Sequence, residues 1–429
     1  MKKGFYIIMA AQTFSSLADN ALFISAIALI IELDGPYWMI PIMKWSFALS
    51  YVVLAPFVGL LADKFPKGHV MFFANCIKMI GCFMIILHQC FSSNKTIQTY
   101  LIGLSYGLIG IGASIYSPAK YGIVTEILPA RMLIKGNSWI EGLTVVSIIL
   151  GTCLGGFLIT PLASNFLINH TFISSLTRSH ANAAIFVILF IYLISAAFNL
   201  AIRKTNINYN IKNNSIFSIL NNFYKNLSIM YNDKIGRISI AITTIFWGVS
   251  ASLQLIVIEW GQKHLGYSID QTSILIGLVA IGTVIGSIIV AKYVRLAQAL
   301  SILPVGIIMG LLIFMMPIVN SKTSTYLLLI STGILAGFFV VPMNALLQHR
   351  GYKLLSAGNS IAVQNFNEQL SILLMISLYA ILVWLNIKIN TIIIIYGIVV
   401  TTLMSFFFYL TSINKKSYDK LLQKTINEE

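Results

Sequence analysis

Twelve long apolar runs constrain this chain more than any other feature of its sequence. Short polar or Gly/Pro-containing breaks separate them, and they lie at about residues 5–31, 38–62, 70–90, 99–118, 138–160, 182–202, 237–260, 271–291, 299–319, 324–347, 358–385 and 389–413. A helix needs about 20 mostly apolar residues to cross a bilayer. The runs therefore predict an all-α polytopic membrane protein with twelve transmembrane helices. A soluble protein is excluded, because charged residues make up 10% of the chain against about 25% in soluble domains.

The charge distribution predicts the orientation of the chain. The net charge of +15 would suggest a nucleic-acid partner on a soluble protein. Here lysines and arginines are about four times as numerous in the segments on the side of the termini as in those on the opposite side. Such an excess of positive charge is typical of cytoplasmic loops. We therefore expect both termini to be cytoplasmic and no nucleic-acid partner. The two lysines that precede the first run lead to no small-residue cleavage site, so we expect the first helix to be retained.

Two six-helix halves are predicted from internal repetition. Gly136-Asn137-Ser138 opens the fifth run and Gly358-Asn359-Ser360 the eleventh, while a proline lies near the cytoplasmic end of the fourth and of the tenth run. Parallel six-helix repeats are the architecture of the major facilitator superfamily, which places its substrate site near the bilayer midplane between the halves. The sequence thus predicts two pseudo-symmetric six-helix bundles.

The domain boundaries follow from the long breaks. We expect an N-terminal six-helix bundle at 1–202, a cytoplasmic linker at 203–236, a C-terminal bundle at 237–413 and a cytoplasmic tail at 414–429. The linker is rich in Asn and Lys, and its apolar residues recur at helical spacing, which predicts a short amphipathic helix on the membrane surface.

The break after the second run resembles the loop motif of the major facilitator superfamily. It reads Gly59-Leu60-Leu61-Ala62-Asp63-Lys64-Phe65-Pro66-Lys67. A glycine there lets two helices approach closely, and a carboxylate is favoured near a facing helix N-terminus. We expect Asp63, Lys64 and Lys67 to form a gate on the cytoplasmic side, with both lysines at the anionic membrane surface.

Ionisable side chains inside the runs are the candidate site residues, because each costs about 2.5–3.5 kcal/mol at a helix centre. They are Asp19, Lys78, Glu141 and Glu368, whereas Lys44 and Glu259, also inside runs, are expected to reach water. A polar ring of both charge signs suits a zwitterionic or anionic headgroup. The alternative is an internal ion pair of Lys78 with Asp19 or Glu141 that only holds helices together.

Enzyme signatures are missing from the sequence. No His-x-x-x-x-Asp acyltransferase motif and no Gly-Lys-Ser/Thr phosphate loop occurs, and the four cysteines form no Cys-x-x-Cys pair. Glycines four residues apart, such as Gly282/Gly286 and Gly333/Gly337, are typical of close helix packing. We therefore expect no enzyme activity, no cofactor and no metal site.

Several longer stretches resemble the LplT family of bacterial lysophospholipid transporters. They include Ser15-Ser16-Leu17-Ala18-Asp19-Asn20, Tyr116-Ser117-Pro118-Ala119-Lys120-Tyr121-Gly122, Gly337-Phe338-Phe339-Val340-Val341-Pro342-Met343-Asn344 and Ala357-Gly358-Asn359-Ser360-Ile361-Ala362-Val363-Gln364-Asn365. The likeness runs from about residue 10 to 410. It implies that Asp19 and Asn20 face the substrate cavity and that Lys120 lies near the cytoplasmic end of the fourth helix. The sequence departs from the family at Gln254, where an arginine is expected.

The resemblance implies a flippase working by alternating access in the bacterial inner membrane. Its substrates would be lysophosphatidylethanolamine and lysophosphatidylglycerol, moved from the outer to the inner leaflet. A separate acyltransferase/acyl-ACP synthetase would then restore the second chain. We expect the headgroup to contact Asp19, Asn20, Lys120, Glu141, Gln254, Asn365 and Glu368, and the protein to act as a monomer among membrane lipids.

Two other functions stay open at this point. A proton-coupled drug or metabolite antiporter of the same superfamily would use Asp19 as its carrier carboxylate. A membrane-embedded lipid acyltransferase is disfavoured by the missing His-x-x-x-x-Asp motif.

Overall fold

The computed structural model describes residues 3–36, 39–91, 93–170, 179–205, 215–267 and 269–413. The predicted cytoplasmic tail at 414–429 lies outside the described residues, as does the part of the predicted linker at 206–214.

The described chain is helical throughout, with two short 3₁₀ segments at Leu296–Ile302 and Met316–Ile318. Its α-helices are α1 Lys3–Glu32, α2 Met39–Lys64, α3 Lys67–Ile86, α4 His88–Phe91, α5 Lys95–Ile127, α6 Ala130–Ile159, α7 Pro161–His170, α8 His180–Leu200, α9 Ile216–Asn232, α10 Lys234–Lys263, α11 Ile269–Tyr293, α12 Leu303–Met315, α13 Lys322–Leu354, α14 Ala357–Trp384 and α15 Ile389–Ile413.

Twelve helical segments of the described chain are long and apolar enough to cross a membrane, which confirms the predicted number of spans and the all-α fold. The ninth span combines the first 3₁₀ segment with α12 and the second 3₁₀ segment, as Leu296–Ile318. The third span begins at Lys67 and ends at Ile86, so the predicted run at 70–90 also includes part of the separate helix α4. A helix satisfies its own backbone groups, which hydrocarbon cannot do, and apolar runs of this length therefore fold as helices.

The first compact unit comprises residues 1–123 and 146–213. In it α8 packs against both α1 and α3. Helix α6 approaches α1 closely, because a Cβ built on Gly151 would lie 2.5 Å from the Leu17 carbonyl oxygen and one on Gly155 2.6 Å from that of Ala21. These contacts fix the face of α1 that carries Asp19.

The second compact unit comprises residues 124–145 and 214–429. Helices α11 and α13 cross at four glycines: a Cβ on Gly286 would lie 2.0 Å from the Ile334 carbonyl oxygen, and one on Gly337 2.1 Å from that of Thr283. This crossing confirms the close packing predicted from the glycine spacing. The N-terminal half of α6 belongs to this unit, and with it Glu141.

Helix α9 occupies the stretch of the predicted linker that has helical periodicity. It buries Phe223 and Met230, and the Phe223 ring meets the Phe366 ring edge-on at a centroid distance of 5.5 Å. Phe217 and Tyr224 are exposed. One apolar side of α9 therefore packs against other helices of the second unit, and a second apolar side is exposed.

Candidate functional site

Polar side chains in the spans of the first unit form one hydrogen-bonded group, the ion-pair cluster. Its members are Ser15 and Asp19 on α1, Asn75 and Lys78 on α3, and Tyr192 and Ser195 on α8. Each helix contributes two residues three or four positions apart, and this spacing puts both on one helix face.

Lys78 and Asp19 form the centre of the ion-pair cluster. The Lys78 Nζ donates to both carboxylate oxygens of Asp19 at 2.8 Å and to the Ser15 Oγ at 3.1 Å. The Tyr192 hydroxyl donates to Asp19 Oδ1 at 2.5 Å. Hydrogen bonds to ionised groups are the stronger kind, so this geometry fixes the position of the carboxylate.

The same network extends along the bundle. The Ser15 Oγ donates to Asn75 Oδ1 at 3.1 Å, and Asn75 Nδ2 donates to the Ser195 Oγ at 2.8 Å. Ser195 in turn donates to the Ala11 carbonyl oxygen at 2.8 Å. Ser15, Asn75 and Ser195 are buried, and their hydrogen bonds offset the cost of removing polar groups from water.

The two charged members of the pair differ in how far they are buried. Lys78 is 1% exposed, and its Nζ lies 5.1 Å from the centroid of the Tyr116 ring and 5.6 Å from that of Tyr192. The Asp19 side chain is 24% exposed. The group that an incoming ligand can reach is therefore the Asp19 carboxylate, while Lys78 holds it from behind.

The two other predicted site residues of the first unit are Asn20 and Lys120. The half-buried Asn20 side chain donates from Nδ2 to the Ser16 carbonyl oxygen of its own helix at 2.8 Å. The half-buried Lys120 places its Nζ 4.1 Å from the centroid of the Tyr121 ring.

A second polar group, the carboxylate cluster, lies in the second unit. Asn344 Nδ2 on α13 donates to Glu141 Oε1 on α6 at 3.3 Å. On α14, Gln364 Nε2 donates to Asn344 Oδ1 at 3.3 Å and to Glu368 Oε1 at 2.8 Å. The carboxylate cluster thus consists of Glu141, Asn344, Gln364 and Glu368.

All four members of the carboxylate cluster are at most 8% exposed. The neighbouring Asn365 is buried to the same degree, whereas Gln254 on α10 is exposed. Glu141 and Glu368, both predicted from sequence, therefore meet in one network, while no hydrogen bond within the described chain joins Gln254 to it.

The loop between α2 and α3 corrects one expectation. Lys64 is exposed, but Lys67 is only 5% exposed, and its Nζ lies 3.9 Å from Asp63 Oδ1. The expectation that both lysines face the membrane surface is therefore wrong for Lys67, because the carboxylate of Asp63 compensates its charge inside the protein. Gly68 follows in close contact with α8, since a Cβ there would lie 2.8 Å from the Asn199 carbonyl oxygen.

Sequence reasoning did not identify Tyr192, Ser195 and Asn344 as members of these networks. Tyr192 and Ser195 lie in α8. A hydroxyl group in an apolar span costs much less free energy than a charge, so these residues are not conspicuous in the sequence. Asn344 lies two residues after Pro342 in a motif noted only for its family likeness. The helical spacing of Tyr192 and Ser195 was the one available signal for a polar face on α8.

Sequence comparison places the chain in a known family. The sequence model of the Major Facilitator Superfamily matches residues 8–375. The lysophospholipid transporter LplT of Yersinia enterocolitica is 36% identical over 390 residues, which cover 91% of this chain and 89% of that protein. The protein of the same name from Yersinia pestis is 36% identical over 387 residues, covering 90% and 88%.

Solved structures resemble the fold. A bacterial homologue of the iron transporter ferroportin in an outward-facing state has a TM-score of 0.73 at 12% identity and covers 96% of this chain and 100% of its own. The transporter FucP in an outward conformation has a TM-score of 0.71 at 12% identity, covering 97% and 98%. These likenesses concern the fold alone. The match of the family model to residues 8–375 and the 36% identity over nine-tenths of the sequence show that the chain belongs to the LplT family of the major facilitator superfamily.

Proposed function

We propose that this protein is a lysophospholipid transporter that moves lysophosphatidylethanolamine and lysophosphatidylglycerol from the outer to the inner leaflet of the bacterial inner membrane by alternating access. The relatives named lysophospholipid transporter LplT support it, because they share 36% identity over about nine-tenths of the chain. In the structure, the observation that carries the proposal is the partly exposed Asp19 carboxylate, held between Lys78 and Tyr192 inside an apolar span.

A single-chain lipid sets two demands on its transporter. Its tail gains about 0.8 kcal/mol for each buried CH₂ group, whereas its charged headgroup resists hydrocarbon. A flippase therefore has to supply polar contacts for the headgroup while the tail remains among apolar side chains. Asp19 supplies such a contact at a depth where an uncompensated carboxylate would be costly.

The proposed roles follow the predicted site residues. Asp19 and Asn20 contact the headgroup, and Lys120 attracts its phosphate. Gln254, Asn365, Glu141 and Glu368 complete the headgroup contacts, and Asp63, Lys64 and Lys67 gate the cytoplasmic side. Lys78 acts through Asp19, whose carboxylate it orients.

The cellular context completes the proposal. Both termini are cytoplasmic, the protein works as a monomer, and the delivered lysophospholipid is reacylated by a separate acyltransferase/acyl-ACP synthetase. The excess of lysine and arginine in the segments on the side of the termini supports this orientation.

Uptake by spheroplasts tests the function directly. Spheroplasts with and without the protein are incubated with labelled lysophosphatidylethanolamine, and its conversion to the diacyl lipid is followed. Conversion that requires both the protein and a separate acyltransferase supports the proposal. Conversion by the purified protein alone would show an acyltransferase instead.

An Asp19→Asn variant separates the transporter from the antiporter of the same superfamily. The proposal predicts that this variant loses lysophospholipid uptake. Drug efflux that depends on Asp19, in a protein that takes up no lysophospholipid, would favour the proton-coupled antiporter and overturn the proposal.

A further inference from the structure

Lys44 is a basic residue inside a membrane span that has no acidic partner. It lies on α2, within the span Ile42–Lys64, and it is exposed. Its Nζ lies 4.9 Å from the centroid of the Phe23 ring on α1, and no carboxylate of the described chain lies within 4.0 Å of it. Ionisable residues inside spans normally pair with an opposite charge or lie on the path of a ligand. The missing partner of Lys44 is therefore an anion.

The face of α2 that carries Lys44 meets the other helices of the first unit. Lys44, Phe47 and Tyr51 lie three and four residues apart, so they share one helix face. The Phe47 ring lies 6.2 Å from the Tyr106 ring on α5, and the Tyr51 hydroxyl donates to the Ala113 carbonyl oxygen of the same helix at 3.0 Å. Lys44 is thus on the side of α2 that meets α1 and α5.

The contact with Phe23 keeps the ammonium inside the span. Phe23 precedes the end of α1 at Glu32 by nine residues, which is about 13 Å along the helix. Its ring lies 5.8 Å from that of Tyr106, which follows the start of α5 at Lys95 by eleven residues, about 16 Å. Lys44 lies only five residues, about 7 Å, from the start of α2. A lysine that only reaches water would extend toward that end of its helix, whereas this one extends toward a ring deeper in the span.

Phe23 also relates Lys44 to the ion-pair cluster. It follows Asp19 by four residues on α1, so the two share a helix face and lie about 6 Å apart along it. The Asp19 carboxylate is already paired with Lys78 at 2.8 Å, and Lys44 does not compensate it. The first unit therefore presents a partly exposed carboxylate and, about one helical turn away, an exposed ammonium.

The surroundings of Lys44 suit an anion that carries an apolar chain. An aromatic ring attracts an ammonium through its quadrupole but leaves the positive charge uncompensated. The ammonium has three donors, which can bind the oxygens of a phosphate group. The neighbouring residues Ile42 and Trp45 are exposed and apolar, so an acyl chain can lie along them. A lysophospholipid combines a phosphate with a single acyl chain.

We infer that Lys44 binds the phosphate of the lysophospholipid headgroup when the lipid enters from the side of the membrane on which α1 ends and α2 begins, the predicted outer side. The inference rests on the proposed function and adds a binding residue to it. Lys120 lies fourteen residues beyond Tyr106 on α5, about 21 Å along the helix. The two lysines therefore act at different stages: Lys44 takes the phosphate at entry, and Lys120 attracts it near the cytoplasmic end.

Transport by the full chain in proteoliposomes tests the role of Lys44. Initial rates are measured against concentration for lysophosphatidylethanolamine and for lysophosphatidylglycerol, which share the phosphate. Binding of both lipids to the purified protein in detergent is compared with binding of a monoacylglycerol that has the same chain and no phosphate. Inorganic phosphate is added as a competitor in a further arm.

Three variants are compared with the wild type. Lys44→Met keeps the aliphatic stem and removes the charge, and Lys44→Arg keeps the charge. Lys322→Met is the matched control, because the exposed Lys322 also lies over an aromatic ring, that of Tyr326, at 5.7 Å.

We expect Lys44→Met to raise the half-saturating concentration of both lysophospholipids about tenfold, because it removes a hydrogen bond between charged groups. Monoacylglycerol binding, the maximal transport rate and the midpoint of thermal unfolding should stay nearly unchanged. Lys44→Arg should restore most of the affinity, since a guanidinium also binds phosphate. Lys322→Met should behave like the wild type.

Four outcomes would overturn the inference. Unchanged half-saturation for both lipids in Lys44→Met would show that the lysine only reaches water. A defect confined to one lipid would assign it to the part of the headgroup that differs, and an equal loss of monoacylglycerol binding would assign it to packing. Inorganic phosphate that displaces the lipids at equal concentration, in the wild type but not in Lys44→Met, would assign it to free phosphate. Failure of the proposed function is distinct, because the wild type would then neither bind nor move either lysophospholipid.

Discussion

The two polar clusters solve the problem of charge inside a membrane protein in different ways. The ion-pair cluster of the first unit contains one acid and one base, and Lys78 donates to both oxygens of Asp19 at 2.8 Å. The carboxylate cluster of the second unit contains two acids joined through amides, with Gln364 between Asn344 and Glu368. The first cluster pairs opposite charges, whereas the second joins two acids through amide side chains.

This difference predicts opposite responses when a charge is removed. Deleting one partner of a buried ion pair leaves the other charge uncompensated. Deleting one of two nearby carboxylates removes a repulsion instead. Stability measurements on single variants can therefore distinguish a structural charge from one that serves a ligand.

The largest effect is expected for Lys78→Met. The variant fills the space of the lysine but leaves the Asp19 carboxylate in an apolar span, and loss of a partner in a buried pair costs about 3–5 kcal/mol. Because Asp19 is partly exposed, we expect about 3 kcal/mol, measured as the change in free energy of unfolding in detergent. Glu368→Gln should change it by less than about 1 kcal/mol.

The double variant Asp19→Leu/Lys78→Met is the control for that comparison. Replacing both members of a buried pair with apolar residues is often neutral, so the double variant should be more stable than Lys78→Met alone. A double variant as unstable as the single one would show that Lys78 contributes mainly through packing of its aliphatic chain.

The next largest effect is expected at the helix crossing that positions α13 and, with it, Asn344. A Cβ on Gly286 would lie 2.0 Å from the backbone oxygen of Ile334, so Gly286→Ala has to push α11 away from α13. Overpacking of this kind costs about 1–3 kcal/mol. Thermal unfolding in detergent should show a lowered midpoint.

Gly107→Ala in the first unit is its matched control. A Cβ there would meet only the Ser46 side chain, at an ordinary 3.8 Å. Alanine in a helix interior is favoured over glycine by about 0.5–1 kcal/mol, so this variant should be stabilised. A lowered midpoint for both variants would show that the backbone contact at Gly286 does not decide whether an added methyl group stabilises or destabilises the fold.

The sequence was sufficient to predict the fold, because hydropathy acts locally. Each span is a long and mostly apolar run, and the described chain has all twelve. The short helices α4 and α7 were not predicted, since four to ten residues at the edges of apolar runs have no periodicity of their own.

Of the candidate site, only the charged residues could be predicted from the sequence. Asp19, Lys78, Glu141 and Glu368 are conspicuous because a charge in an apolar run is costly. Which of them meet is a matter of tertiary packing: the sequence left Lys78 open between Asp19 and Glu141, and the structure pairs it with Asp19. Glu141 lies in the first half of the sequence but joins Asn344 in the second compact unit, which helical spacing alone does not encode.

A smaller effect is expected for Tyr192→Phe, which tests how firmly the ion-pair cluster holds its carboxylate. The variant removes one hydroxyl donor to Asp19 Oδ1 and leaves both lysine contacts in place. A hydrogen bond to a charged group contributes about 1.5–3 kcal/mol, and the partial exposure of Asp19 lets water replace part of it. We expect a loss of about 1 kcal/mol and a higher half-saturating lysophospholipid concentration with little change in maximal rate.

Tyr379→Phe provides the counterpart in the second unit, since Tyr379 donates to Glu259 outside the carboxylate cluster. It should leave half-saturation for lysophospholipid unchanged. If Tyr192→Phe also leaves it unchanged, then Tyr192 has only a packing role and does not position the carboxylate.

The smallest effect is expected at two ion pairs at the ends of spans, one in each unit. Asp233 in the second unit accepts from Arg350 Nε at 2.9 Å and from Nη2 at 2.6 Å, and both side chains are less than 20% exposed. Asp34 in the first unit accepts from Lys95 Nζ at 2.7 Å, but both side chains are more than 60% exposed. Exposed pairs contribute little to stability, because water screens them.

The direction of the pKa shift of each carboxyl group determines how the free energy of unfolding changes with pH. For Asp233, burial raises the pKa, but the hydrogen bonds and charge of Arg350 outweigh it, so the pKa is lower than its usual value. A carboxyl group with a lowered pKa stabilises the fold above its unfolded-state pKa of about 4, and this contribution is lost as the pH falls through the lower folded-state value. The hydrogen bond from Lys95 also lowers the pKa of Asp34, but that side chain is exposed to water.

Asparagine variants isolate these pairs without disturbing the backbone. Asp233 caps α10 by accepting from the Gly236 amide at 2.8 Å, and asparagine caps helices equally well. Asp34 has a φ of 57°, in the left-handed region that asparagine tolerates. At pH 7 we expect Asp233→Asn to lower the free energy of unfolding by about 1 kcal/mol and Asp34→Asn to leave it unchanged. Below about pH 4 the gap between Asp233→Asn and wild type should close, because protonation removes the same charge; a gap that persists there would show that shape and not charge makes Asp233 important.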